Sequence, residues 1–189
     1  MPHVRCNACG VVSWSSARAD GAPCPECGVP APRQPTPESE DPARRLTKLV
    51  SMTRELLDVD VALLTEIDDG SERACVVAGE FPGLALTPGA SMPLSDTYCR
   101  LMLEGRIANV VGDTRAEESM CDLPLTKLYS VAAYMGVPIA ISDAELYVLC
   151  CLAREARPSF GTREVRLLSG LAESVSAELQ ATRSPASAL

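Results

Sequence analysis

The stretches "VAAYMGVPIAI" (131–141) and "ELYVLCCLA" (145–153) set the architecture. Each is an apolar run of strand length, and Ser142-Asp143 separates them, so the two read as neighbouring strands of an antiparallel pair. Upstream, "VDVALLTEID" (59–68) and "ERACVVAGEF" (72–81) flank Asp69-Gly70, a dipeptide suited to the tight turn of a hairpin. Four strands in two hairpins predict an antiparallel sheet.

Helical spacing brackets that sheet. In "DPARRLTKLVSMTRELLDV" (41–59) Leu46, Leu49, Val50, Thr53, Leu56 and Leu57 fall on one stripe, with Pro42 placed to open the helix. In "TREVRLLSGLAESVSAELQATR" (162–183) Leu167, Leu168, Leu171, Val175 and Leu179 do the same. Between the hairpins, "LSDTYCRLMLEGR" (94–106) predicts a short helix capped by Ser95 or Asp96 and stopped at Gly105. "IANVV" (107–111) predicts a strand, and "DTRAEESMCDLPLTKLYS" (113–130) a polar crossover with short helical turns broken at Pro124. The order predicts an α+β domain.

Ahead of it the composition changes. "GVPAPRQPTPESEDPA" (28–43) alternates proline with polar and acidic residues, the mark of a semi-extended linker. Before the linker stand "CNACG" (6–10) and "CPECG" (24–28), two matched knuckles fourteen residues apart. A C-x2-C-G turn lets two sulfurs converge, and two such turns supply the four thiolates of a structural metal site. Cys6, Cys9, Cys24 and Cys27 are therefore expected to hold structural Zn2+ as a zinc ribbon, with iron as the chemical alternative. A segment so short has little apolar core and needs metal to fold. Trp14, the only tryptophan, either anchors a partner or covers the metal site. The expected division is a ribbon at 1–28, a Pro-rich linker at 29–41, a main domain at 42–183 and a disordered tail at 184–189.

Charge and composition exclude several functions. A formal net charge of −8 over 189 residues argues against coating nucleic acid, which requires clustered Lys and Arg. The sequence has neither an apolar run of about twenty residues nor a secretory start, which predicts a cytoplasmic protein away from membranes. In that compartment nine cysteines are metal ligands, redox thiols or small core residues rather than a disulfide framework. His3 is the only histidine, so the main domain has no Ser-His-Asp or Cys-His relay. There is no phosphate-cradling or dinucleotide glycine motif either. The expectation is a protein that is not an enzyme.

"LSDTYCRLMLEG", "VVGDTRAEES" and "YMGVPIAISDAELYVLCCLAREARPSFGTREVRLLSGLAESVSAEL" together resemble the GAF domain family. The likeness is to its bacterial branch, with an LSDxxC helix, a GVP strand, an LC strand and a terminal LLxxLAxxVxxEL helix, and covers about Pro42 to Arg183. It implies an antiparallel sheet with helices on one face and a small-molecule pocket on the other, in a sensory or dimerising module. It would place Tyr98, Cys99, Asp113, Met120, Cys121, Tyr129 and Tyr134 around the pocket. The bland alternatives are packing with a satisfied hydroxyl for Tyr98 and Tyr134 and a helix cap for Asp113. The sequence departs from the family pattern at Asp143-Ala144 and Val148, where added side-chain volume would narrow a pocket, and at Ala153, which replaces the aspartate common after that strand and removes a polar ligand-binding group. The missing histidine disfavours haem sensing.

Of Cys75, Cys99, Cys121, Cys150 and Cys151, the pair expected to be redox-active is Cys99 with Cys121; the alternative for all five is buried packing. Adjacent Cys150 and Cys151 point to opposite strand faces and cannot join in an ordinary disulfide. The sequence thus predicts a non-enzymatic signalling protein in which a zinc ribbon is coupled to a GAF domain sensing a small molecule or redox state. Output is expected through protein contact, with homodimerisation through the first and last helices. The alternatives are a nucleic-acid-binding transcriptional regulator that uses the ribbon, and a thiol-based redox sensor or enzyme that uses Cys99 and Cys121.

Overall fold

The computed structural model describes residues 3–6, 8–14, 23–24, 26–29 and 41–182. Most of the expected linker, the expected tail and the side chain of Trp14 lie outside the described residues. The chain divides into two compact units, 1–41 and 42–189.

In the first unit β1 (His3–Arg5) pairs antiparallel with β2 (Val12–Trp14). In the second, the order is α1 (Pro42–Leu57), β3 (Val61–Asp68), β4 (Ser71–Gly79), β5 (Ser91–Pro93), α2 (Tyr98–Leu103), β6 (Val110–Val111), α3 (Pro124–Lys127), β7 (Ala133–Ser142), β8 (Glu145–Ala153) and α4 (Thr162–Ala181). The six strands form one antiparallel sheet in the order β5-β4-β3-β8-β7-β6. This is the expected α+β, GAF-like sheet with flanking helices. The β3–β4 turn places Asp69 and Gly70 at φ 36° and 80°, the doubly left-handed geometry that joins two twisted strands directly.

The alternation along each central strand separates two cores. Ala62 and Leu64 of β3, Met135 and Ile139 of β7, and Leu149 and Cys151 of β8 face one way, onto Leu46, Val50 and Leu57 of α1 and Leu168, Ala172, Val175 and Leu179 of α4. Val61, Leu63, Tyr134, Val148, Cys150 and Leu152 face the other way, onto α2 and the crossover. Cys150 and Cys151 thus enter different cores. Cys75 is the extra residue of a β4 bulge, since Leu64 pairs with Val76 and Thr65 with Ala74. The bulge turns both Cys75 and Val76 toward the helical side.

Four details differ from the sequence expectation. Leu56 lies on the predicted α1 stripe yet is exposed, and Leu167 on α4 is partly so; the apolar arc is wider than the face the sheet covers. The cap of α2 is Thr97, whose hydroxyl accepts from the Arg100 N–H at 3.4 Å. Residues 94–96, including Ser95 and Asp96, form a preceding 3-10 turn. Pro124 opens α3 at its first turn instead of breaking a helix. "IANVV" pairs only at Val110 and Val111. At the far end of the domain Glu164 accepts from the Gly161 N–H at 2.9 Å and closes the start of α4.

Candidate functional site

The sheet face opposite α1 and α4 carries a cavity of about 80 Å³. Its floor is Leu63 and Thr65 of β3, Glu72 and Ala74 of β4, Tyr134 of β7 and Cys150 and Leu152 of β8. Its roof is the Leu84–Met92 segment together with Thr97, Tyr98 and Cys99. A single water needs roughly 10–15 Å³ of such space, so the cavity admits a few waters or a compact organic group. The lining is overwhelmingly apolar.

Tyr98 and Tyr134 meet edge to face inside it, with ring centroids 5.4 Å apart at 64°. The Tyr98 hydroxyl lies 2.6 Å from Thr126 Oγ1, and Thr126 donates to the Met120 carbonyl at 2.7 Å. Because Thr126 has one proton, Tyr98 must donate to it, and a two-step relay ties Tyr98 to the crossover segment. Burial holds the Tyr98 phenol neutral, pushing its pKa up to about 12, while the bond to Thr126 pulls it back. Tyr98→Phe is expected to cost about 1 kcal/mol, and Thr126→Val about 2 kcal/mol because it orphans two buried groups. Urea denaturation measures both, and equal costs would contradict the direction of the relay.

Tyr134 reaches the cavity by folding back along its own strand. Its hydroxyl donates to Cys99 Sγ at 3.5 Å and occupies the space an added Cβ on Gly136 would take. Burial, before its neighbours Cys99 and Cys150, raises the Tyr134 phenol. Cys99 is likewise raised, first by its contact with Cys150 and then by burial. Both groups are uncharged at neutral pH.

Of the seven residues expected around the pocket, Tyr98, Cys99 and Tyr134 line the cavity. Met120 is buried behind Tyr98 in the same core, and Tyr129 packs at its margin. Asp113 accepts from the Arg115 backbone at 3.1 Å and its guanidinium at 3.0 Å, bonds that lower its pKa, the side-chain one foremost. Cys121 is half-buried and directs its thiol to the Glu118 carbonyl at 3.4 Å. The thiol brought to Cys99 is that of Cys150, on β8. Sequence reasoning missed Glu72, Thr65, Ala74 and Cys150. Glu72 had a signal: in β4 it alternates with Ala74, so a carboxylate falls at an inward position of a half-buried strand.

The first unit presents a different chemistry. In each knuckle the first cysteine's N–H donates to the backbone five residues on, Cys6 to Val11 at 2.8 Å and Cys24 to Val29 at 2.9 Å. Gly10 and Gly28 then donate back to the carbonyls of Cys6 and Cys24, at φ 77° and 68°, which favour glycine. The four sulfurs lie within 4.8 Å of one another, with Cys6 to Cys27 at 3.8 Å and Cys9 to Cys24 at 3.6 Å. Tetrahedral thiolates at the usual metal–sulfur length of about 2.3 Å stand about 3.8 Å apart. The four cysteines can therefore hold a metal ion.

Comparison with solved structures returns the same fold for the second unit. A phycocyanobilin-bound GAF domain from a cyanobacterial phytochrome aligns with TM-score 0.59 and 16% identity over 77% of this chain and 90% of its own. The GAF domain of PixJ from Thermosynechococcus elongatus, in its blue-light-absorbing form, aligns at 0.58 and 21% over 75% and 86%. The second GAF domain of DevS from Mycobacterium smegmatis aligns at 0.54 and 18% over 75% and 96%. None of the curated proteins compared matches the chain. Among the described residues no helix is long and apolar enough to cross a membrane. The GAF domain profile matches residues 41–179, and with the six-stranded sheet and its cavity this makes the chain a member of the GAF domain family.

Proposed function

We propose that the protein is a non-enzymatic cytoplasmic signalling module in which the cavity of residues 42–183 senses a small molecule and residues 1–28 form a structural zinc ribbon joined to it by a Pro-rich linker. The observation that carries this reading is the apolar cavity itself, roofed by a loop and one short helix and holding Thr65, Glu72 and Cys99 among apolar walls. An apolar pocket with a few convergent polar groups is the ordinary form of a small-molecule site. A phycocyanobilin-bound domain among the matching structures is a precedent for an organic chromophore in this fold.

The ribbon reading rests on the sulfur spacings. Zinc is favoured because four thiolates in tetrahedral reach form a closed structural set with no open position. Output is assigned to protein contact. Met52 and Leu56 on α1 and Leu167 on α4 leave 40%, 56% and 38% of their surfaces exposed, which supports a homodimer through these helices.

Ala74 is buried in the cavity floor next to Glu72, so Ala74→Leu fills the space without adding charge. Metabolite fractions containing the ligand are expected to raise the melting temperature of the wild-type chain by about 5–10 °C at a hundredfold excess over Kd. The same fractions should leave Ala74→Leu unmoved. Equal shifts in both chains would place any ligand outside the cavity.

A further inference from the structure

Three donor groups converge in the cavity wall, each from a different element. Glu72 comes from β4, Cys99 from α2 and Cys150 from β8, and a carboxylate oxygen and two sulfurs lie within 4.8 Å of one another. Their residues are 7%, 2% and 2% exposed. Glu72 Oε2 has no hydrogen-bond partner, and no Lys or Arg of the described residues forms an ion pair with Glu72. An uncompensated carboxylate in an apolar wall is costly and calls for a cation. The two adjacent sulfurs select which kind: soft donors beside a carboxylate suit a thiophilic metal better than an organic ammonium group.

We propose that Glu72, Cys99 and Cys150 form a second metal site, for a thiophilic divalent cation of the Zn2+ type. Tetrahedral ligands at ordinary zinc bond lengths stand about 3.3–3.8 Å apart, a spacing the three donors, within 4.8 Å of one another, reach by a small contraction. Binding exchanges the two thiol protons, released to solvent, for metal–sulfur bonds. Three protein donors leave a fourth position, and all three residues line the cavity. This separates the site from the four-thiolate ribbon, whose coordination is closed. Tyr134 supports it from outside the ligand set by donating its hydroxyl to Cys99 Sγ at 3.5 Å, an outer hydrogen bond that orients a ligand. Gly136 pairs with Cys150 across the sheet and leaves room for that hydroxyl. The proposal goes beyond the sensory reading and stands whether or not the cavity takes an organic ligand.

The test is Co2+ titration of the reduced full-length chain, read by thiolate-to-metal absorption and by metal count. The wild type is expected to take up two ions. Cys150→Ser and Glu72→Gln should each lower the count to one at stoichiometric Co2+ and weaken the second site at least tenfold. Cys24→Ser should abolish the four-thiolate spectrum and keep the cavity ion. Glu72→Gln serves as the folding control, because Oε2 has no hydrogen-bond partner to lose: its metal-free form should melt no lower than the wild type. A wild-type count and spectrum that neither Glu72→Gln nor Cys150→Ser alters would overturn the proposal, as would a Cys24→Ser chain that binds no ion. Failure of the ribbon alone is distinct, since Cys24→Ser would then leave both count and spectrum unchanged.

Discussion

Gly136→Ala is expected to destabilise the GAF domain by about 1–3 kcal/mol. The sign carries the information. Glycine inside a strand ordinarily costs about 0.5–1 kcal/mol relative to alanine, so propensity alone predicts that this substitution stabilises. Here the added methyl would overlap the Tyr134 hydroxyl and lie 2.8 Å from its ring carbon Cζ and 3.5 Å from Met102 Cε. The ring cannot swing aside freely, being 1% exposed and wedged against Tyr98. Tyr134→Leu, which removes the ring tip, should relieve most of the Gly136→Ala penalty in the double variant, giving a coupling energy above about 1 kcal/mol. Urea denaturation of the four chains of that cycle measures it; a single Gly136→Ala chain as stable as wild type would show that the tyrosine is not fixed over the glycine.

With the proposed zinc removed, the first unit is expected to unfold. Structural zinc in small thiolate domains contributes an apparent binding free energy of about 10–16 kcal/mol, far more than a pair of three-residue strands supplies otherwise. Chelation, or Cys24→Ser, should therefore leave the amides of residues 3–14 exchanging with solvent at unprotected rates. Amide exchange followed by mass spectrometry reads that segment directly. Protection in β1 and β2 that survives complete loss of metal would mean the hairpin holds itself together.

Much of this was legible in the sequence because hydrophobic period and turn chemistry are local. Asp69-Gly70 announced its hairpin, and the α1 and α4 stripes announced the helical layer. The knuckle spacing announced four sulfurs in reach of one ion. What stayed hidden depends on which strands become neighbours. Cys99 and Cys150 meet because α2 lies over the sheet beside β8, and Glu72 joins them from β4, two strands away from β8 in the sheet. Nothing in the separation of 72, 99 and 150 along the chain encodes that meeting. The Cys75 bulge likewise arises from pairing, and the exposure of Leu56 from how little of the α1 arc the sheet covers. Asp113 and Cys121, placed near the pocket by family likeness, satisfy themselves locally on Arg115 and the Glu118 carbonyl.

Whether the cavity takes up a small molecule is read from native mass spectrometry of the full-length chain, purified without oxygen and incubated with a metabolite extract. The predicted spectrum shows a dimer carrying metal and an additional organic mass per chain, the organic mass absent from Ala74→Leu. A wild-type chain that carries metal but never an organic adduct, before or after the extract, would contradict the sensory reading and leave an interaction module with a filled core.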